Sequence, residues 1–190
     1  MNLANQLTLL RILLIPLLVV IFYLPYDWRF PVCSGIFCLA AITDWLDGWV
    51  ARTYDQATAF GAFLDPVADK LMVAVALVLL VEVHATPLFA VPAVIIIGRE
   101  IVISALREWM AELGKRASVA VSMLGKIKTT VQMTSIIVLL FDNPADATIL
   151  TSVGYVTLYV AAILTLWSMF IYLKAAWPDL MPQDGEEGKG

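Results

Sequence analysis

Charged residues are scarce in this sequence. Asp, Glu, Lys and Arg make up 15% of its 190 residues, whereas a typical soluble domain has about 25%. Hydrophobic residues make up 61%, and the mean hydropathy is +0.87. This composition excludes an ordinary soluble domain and predicts a protein that crosses the membrane several times.

Histidine and cysteine are also few. Cys33 and Cys38 stand five residues apart in an apolar run, which favours packing over a disulfide or a metal site. We expect the single histidine, His84, to be a loop residue rather than a catalytic base. No basic stretch is interleaved with aromatic residues, so nucleic acid is not an expected partner. No signal-peptide pattern begins the chain, and a cleaved leader is not expected.

Six apolar segments predict an all-α fold, because each is long enough to cross a hydrocarbon core of about 30 Å. We expect residues 1–10 to form a short interfacial helix before them. A single catalytic domain would cover residues 1–176, followed by a polar tail at 177–190. The predicted spans are 8–25, 32–52, 61–82, 87–109, 121–141 and 148–174.

Lysine and arginine predict the orientation of these spans, since they accumulate in cytoplasmic loops. The loops on the opposite side contain only Arg29 among their cationic residues. Both chain termini are therefore expected in the cytoplasm, together with the stretch from residue 44 to residue 69. The cationic residues on the predicted cytoplasmic side are Arg11, Arg52, Lys115, Arg116, Lys126, Lys128 and Lys174.

Four aspartates stand in or beside some of the most apolar sequence. Asp44 and Asp47 are three residues apart, and Asp65 and Asp69 are four apart. Either spacing places a pair on one face of a helix. A turn at residues 53–60 would let the two faces meet, and carboxylates that close must bind protons or metal. Oxygen ligands suit Mg²⁺ or Mn²⁺, and two such ions suit a displacement at phosphorus.

Small residues and one arginine complete this pattern. Gly48, Ala51 and Gly61 allow two membrane helices to approach closely and leave room for a bulky anion. Arg52 can bind a phosphate through two hydrogen bonds. The pattern resembles the signature of the CDP-alcohol phosphatidyltransferases. The eight matching positions are Asp44, Asp47, Gly48, Ala51, Arg52, Gly61, Asp65 and Asp69.

The N-terminal segment carries a polar face of its own. Asn5, Thr8 and Arg11 recur every three residues and share one side of a helix. One interpretation is an amphipathic helix lying on the membrane. The alternative is that this face closes the active site, and the segment is similar to the one beside the nucleotide site in bacterial members of the family.

Cationic residues in the fourth and fifth segments suggest a second anion site. Arg99 and Arg107 could pair with Glu100, Glu108 or the aspartates, or could form a phosphate pocket. Lys126 and Lys128 could be cations of the cytoplasmic loop, or could bind the phosphate of an acceptor. All four resemble positions in the family members that use sn-glycerol 3-phosphate.

The resemblance implies a reaction. The phosphatidyl group of CDP-diacylglycerol would pass to the 1-hydroxyl of sn-glycerol 3-phosphate, giving phosphatidylglycerophosphate and CMP. It implies a homodimer in the bacterial inner membrane and two Mg²⁺ or Mn²⁺ ions on the four aspartates, with Asp69 also the candidate base. The expected CDP-diacylglycerol contacts are Asn5, Thr8, Gly48, Ala51, Arg52 and Gly61; the expected acceptor-phosphate contacts are Arg99, Arg107, Lys126 and Lys128.

Other functions are compatible with parts of the pattern. Within the family, a phosphatidylinositol-phosphate synthase or a cardiolipin synthase is the nearest rival. Outside it, an ion-coupled transporter could bind its ion with intramembrane aspartates, although internal repeats are not evident. A scaffold of packed helices with a structural metal site is the third alternative.

Overall fold

The structure, a computed structural model, describes residues 3–54, 59–114, 123–146 and 148–180, and these contain helices and no strands. The all-α prediction is confirmed. A short 3₁₀ helix, Pro144–Asp146, precedes the last helix. The six α-helices are α1 (Leu3–Phe22), α2 (Arg29–Tyr54), α3 (Ala59–His84), α4 (Pro87–Glu112), α5 (Met123–Phe141) and α6 (Ile149–Leu180).

The two ends of the chain differ from the prediction. Helix α1 runs unbroken from Leu3 to Phe22, so the separate interfacial helix expected at residues 1–10 is wrong. No glycine or proline interrupts the segment before Pro16, and the apolar residues continue through it. Helix α6 extends to Leu180 and takes in the start of the expected tail, of which residues 181–190 lie outside the described chain.

The helices pack around one apolar core. Helix α1 packs on α2 and α3, α5 packs on α2 and α6, and α4 packs on α6 and α3. Every helix contributes a side chain that is no more than 1% exposed. These include Leu18, Phe37, Leu77, Ile96, Ile136 and Leu158.

The outer surface of the bundle is also apolar. Leu13, Val94 and Phe170 are each about two-thirds exposed, as suits contact with lipid. Three described segments are long and apolar enough to cross a membrane: Asn5–Phe22, Pro87–Glu112 and Ile149–Trp177. The chain is therefore a membrane protein. Six membrane crossings remain a prediction, because these three segments belong to α1, α4 and α6. Helices α2 and α3 are 26 residues long, but the aspartates lie within them.

Small residues bring α5 and α6 close together. A Cβ atom placed on Gly154 would lie 2.5 Å from Cγ and Cδ2 of Leu139. Ser135 Oγ donates a hydrogen bond to the Gly154 carbonyl oxygen at 2.9 Å. Ala161 and Ala162 are buried in the same core. These small residues therefore let α5 and α6 pack closely against each other within this chain.

His84 is a structural residue remote from the aspartates. It is the last residue of α3 rather than a loop residue, and about 1.5 Å per residue places it about 22 Å along the helix from Asp69. Its ring stacks on Phe89 with centroids 4.7 Å apart. Its Nδ1 lies 3.1 Å from the Tyr155 hydroxyl. These contacts tie the end of α3 to α4 and α6.

The α5–α6 contact gives a test of the packing. We expect Gly154→Ala to lower the thermal midpoint in detergent, because overpacking costs about 1–3 kcal/mol while the gain in helix propensity is at most about 1 kcal/mol. In a Leu139→Ala background the added methyl group has space, and the same change should then be neutral or stabilising.

Gly35→Ala is the matched control, because a Cβ atom there meets nothing within 4 Å. It should leave the thermal midpoint unchanged or raise it slightly. An equal loss from Gly154→Ala in both Leu139 backgrounds would contradict the close contact.

Candidate active site

The aspartates lie on α2 and on the first half of α3. Asp44 is exposed on α2, while Asp65 and Asp69 are half-buried on α3, one turn apart and on one face. Gly61 is buried one turn before Asp65. The side chains of Asp47, Gly48, Ala51 and Arg52 lie outside the described residues, although their backbone belongs to α2.

The polar face of α1 meets both aspartate helices. Thr8 Oγ1 donates a hydrogen bond of 2.5 Å to Asp65 Oδ1 on α3. An Arg11 guanidinium nitrogen lies 2.8 Å from Asp44 Oδ1 on α2. Thr8 is fully buried and Arg11 is 1% exposed, which excludes a helix that lies on the membrane surface. Asn5, one turn before Thr8, is half-buried. This face therefore fixes carboxylates on two other helices.

The donor set suits an oxygen-preferring divalent ion. Asp44, Asp65 and Asp69 offer only carboxylate oxygens, the ligands that Mg²⁺ and Mn²⁺ prefer. Among the described side chains, no three acidic, histidine or cysteine residues come close enough together to hold a metal. Asp47, the fourth expected ligand, falls outside that set. The chemistry of the residues thus fits the metal, and Arg11 is ion-paired with one of these carboxylates.

A cavity of about 50 Å³ opens beside Asp69. Helices α3, α4 and α5 form its walls. A smaller cavity of about 10 Å³ lies toward α1 and α2, and Asp69 and Met133 border both. Asp69 is thus placed between the two cavities. The larger cavity is lined by Asp69, Lys70, Val73, Glu100, Lys128, Thr129, Gln132 and Met133.

Two cations share one carboxylate at the wall of this cavity. Lys128 is 3% exposed, and its Nζ donates a short hydrogen bond to Glu100 Oε1. Arg99 is 8% exposed and reaches the same oxygen at 3.2 Å. Arg99 also donates to the Ser168 hydroxyl on α6 at 3.1 Å. Glu100 therefore links α4 to α5, and Arg99 links α4 to α6.

Arg107 lies outside the described cavity lining, two turns beyond Arg99 on α4. It donates a hydrogen bond of 3.3 Å to the Tyr172 hydroxyl. The guanidinium carbons of Arg99 and Arg107 lie 5.6 Å and 5.5 Å from the centre of the Tyr172 ring. The two arginines flank one aromatic ring, as cation–π contacts require. The Lys126 side chain is outside the described residues.

Sequence reasoning missed four contributors to these sites. It gave no role to Gln132, Ser168 or Tyr172, and it treated Glu100 only as a partner for arginine. Gln132 had a detectable signal, because it stands four residues after Lys128 in an apolar helix and so shares its face. Ser168 and Tyr172 had none, since their roles depend on how α6 packs against α4.

Comparison with known proteins adds two findings. Residues 1–167 match the model of the family described as CDP-alcohol phosphatidyltransferase. The chain is 54% identical over 190 residues to a protein of Pseudomonas fluorescens, covering 100% of this chain and 97% of the relative. It is 56% identical over 181 residues to a protein of Yersinia enterocolitica, covering 95% and 98%. Both relatives are named CDP-diacylglycerol–glycerol-3-phosphate 3-phosphatidyltransferase.

The shared carboxylate gives a prediction about stability. Glu100→Gln should destabilise the protein by about 3 kcal/mol, because it leaves the buried Lys128 ammonium without its anion. Lys128→Met should cost less, since Glu100 keeps Arg99. Adding Lys128→Met to Glu100→Gln should recover part of the loss, and thermal midpoints in detergent would measure all three variants.

Glu108→Gln is the matched control. It removes the same charge from an exposed position on α4 and should change stability by at most about 0.5 kcal/mol. Strictly additive losses in the Glu100 and Lys128 double variant would contradict a direct interaction.

Proposed function

The chain belongs to the CDP-alcohol phosphatidyltransferase family and is an enzyme of that class, and on this premise we propose the specific reaction. It transfers the phosphatidyl group of CDP-diacylglycerol to the 1-hydroxyl of sn-glycerol 3-phosphate, giving phosphatidylglycerophosphate and CMP. The observation that carries the proposal is the cavity with Asp69 on one wall and the buried Lys128 on another. A carboxylate and a cation that line the same cavity support the proposal, because a phosphorylated alcohol needs a proton acceptor for its hydroxyl and a cation for its phosphate.

The donor would bind at the ends of α2 and α3. Asp44, Asp47, Asp65 and Asp69 would hold two Mg²⁺ or Mn²⁺ ions, which, when bound, neutralise charge on the pyrophosphate and on departing CMP. Thr8 fixes one carboxylate oxygen of Asp65. The proposed contacts to CDP-diacylglycerol are Asn5, Thr8, Gly48, Ala51, Arg52 and Gly61.

Arg11 supports this arrangement by balancing charge. Carboxylates close together oppose each other's ionisation, and a buried guanidinium beside Asp44 relieves that repulsion. We infer that Arg11 positions Asp44 rather than contacting the reacting atoms.

The acceptor would enter the cavity from the other side of Asp69. Lys128 and Arg99 would bind its phosphate, and Glu100 would hold both cations in place. The 1-hydroxyl oxygen would form a bond to the β-phosphorus, while the bond from that phosphorus to the bridging oxygen breaks and CMP leaves. Asp69 would accept the hydroxyl proton, because its carboxylate borders both cavities.

The membrane explains where the two substrates meet. The apolar outer surface would keep the acyl chains of the donor in the bilayer. The proposed topology has six crossings, with both termini and the aspartates on the cytoplasmic face of the bacterial inner membrane. Water-soluble sn-glycerol 3-phosphate and divalent ions would reach the site from that side. A homodimer is part of the proposal on family resemblance alone.

Acceptor choice gives the direct test of the reaction. Detergent-purified protein with CDP-diacylglycerol and Mg²⁺ or Mn²⁺ should release CMP with glycerol 3-phosphate. It should release none with inositol phosphate, phosphatidylglycerol or serine. Asp69→Asn should keep the thermal midpoint near that of the wild type and reduce turnover by at least about 100-fold, the usual contribution of a general base. Release with another alcohol instead would overturn the acceptor and leave the chemistry in place.

A second test concerns the phosphate of the acceptor. Lys128→Met should raise the KM for glycerol 3-phosphate at least about tenfold, because a charge-assisted hydrogen bond contributes about 1.5–3 kcal/mol. The KM for CDP-diacylglycerol should change little. Lys174→Ala removes an exposed cation from α6 and serves as the control. An equal loss for both substrates would remove Lys128 from the acceptor site.

A further inference from the structure

Gln132 is a buried amide that faces the larger cavity. It lies on α5, one turn after Lys128, and its side chain is 3% exposed. Its Oε1 atom is buried and, within the described residues, has no hydrogen-bond partner. Leaving such a group unsatisfied costs about 1–3 kcal/mol. Because most buried polar side chains have a partner, this amide requires an explanation.

Neighbouring polar side chains on the same helix are already bonded. Lys128 donates to Glu100, and Ser135 donates to the Gly154 carbonyl oxygen. Thr129, which also lines the cavity, donates its hydroxyl hydrogen to the Gly125 carbonyl oxygen at 2.9 Å. Gln132 is therefore the uncharged side chain in the described lining that can both donate and accept a new hydrogen bond.

The chemistry of an amide selects its ligand. A phosphate would prefer the ammonium of Lys128, which lies about 5–6 Å away along the same helix face. A hydroxyl group is neutral and both donates and accepts, as an amide does. Asp69 lines the same cavity and is the proposed acceptor of the proton from the reacting hydroxyl. Asp69 would serve the reacting hydroxyl and Lys128 the phosphate. Gln132 therefore suits the remaining hydroxyl of the acceptor.

We propose that Gln132 binds the unreactive 2-hydroxyl of the acceptor and so selects for phosphorylated alcohols that carry one. This inference rests on the proposed function, because it requires an acceptor with a phosphate and two hydroxyl groups. The ligand completes the hydrogen bonding of the amide. An acceptor without the second hydroxyl leaves the amide unsatisfied and loses affinity in the transition state.

A pair of acceptors tests this role. Glycerol 3-phosphate and 3-hydroxypropyl phosphate share the phosphate and the reacting hydroxyl, and the second lacks the 2-hydroxyl. With saturating CDP-diacylglycerol and Mg²⁺, the wild type should show a kcat/KM about tenfold higher for glycerol 3-phosphate, as expected for one hydrogen bond of about 1.4 kcal/mol. Gln132→Met should lose that preference by slowing glycerol 3-phosphate and leaving the analogue nearly unchanged.

The ratio of the two kcat/KM values does not depend on how much of a variant folds, because both acceptors are measured on one preparation. Ser135→Ala is the matched control, since it removes a buried hydroxyl from the same helix on the side facing α6. It should be less stable and yet keep the wild-type ratio.

Three results would overturn the assignment. An equal loss for both acceptors in Gln132→Met would make Gln132 a packing or positioning residue. Unchanged kinetics with both acceptors would remove it from the site. A wild type that does not distinguish the acceptors would leave no selection to explain. Failure of the proposed function is separate, since the wild type would then release no CMP with either acceptor.

Discussion

The structure depends on compensating charge inside an apolar helical bundle. A charged side chain removed from water is tolerated only when an opposite charge or several hydrogen bonds replace its hydration. The buried Arg11 of α1 receives Asp44 from α2, and the half-buried Asp65 of α3 receives the Thr8 hydroxyl from α1. Lys128 on α5 receives Glu100 from α4. Polar contacts therefore determine which helices meet at the site, whereas the apolar core only requires that they pack.

Close packing elsewhere makes these polar contacts possible. The absence of a side chain at Gly154 lets Leu139 of α5 lie directly against α6. This contact and the Ser135–Gly154 hydrogen bond hold α5 against α6, and α5 carries Lys128 and Gln132 at the cavity. Helix α4 is held on its other side by the contact of Arg99 with Ser168. The cavity is thus shaped by a bundle whose far side is densely packed.

How much of the structure could be predicted from the sequence depends on how far apart along the chain the interacting residues lie. Helix positions depend on local apolar runs, and the all-α fold was predictable from them. The shared face of Asp65 and Asp69 follows from their spacing alone. The pairing of Arg11 with Asp44 joins residues 33 positions apart, and that of Lys128 with Glu100 joins residues 28 apart. No local pattern specifies such partners. The continuity of α1 was missed because polar residues near its start were assigned to a membrane surface, whereas they face other helices.

The Lys128–Glu100–Arg99 cluster also explains how two buried cations can be held ready for a phosphate. Two cations on one carboxylate retain a net positive charge, and both remain ordered by that carboxylate. A phosphate entering the cavity would meet a cluster with one carboxylate for two cations, so it would be attracted without displacing Glu100. The cations are positioned in advance, which lowers the entropic cost of binding.

Positive charge of this kind attracts any small phosphorylated molecule, however. Discrimination among such molecules requires groups that contact the rest of the molecule. A neutral amide one turn along α5 supplies such a group, because it binds a hydroxyl at little cost and penalises its absence.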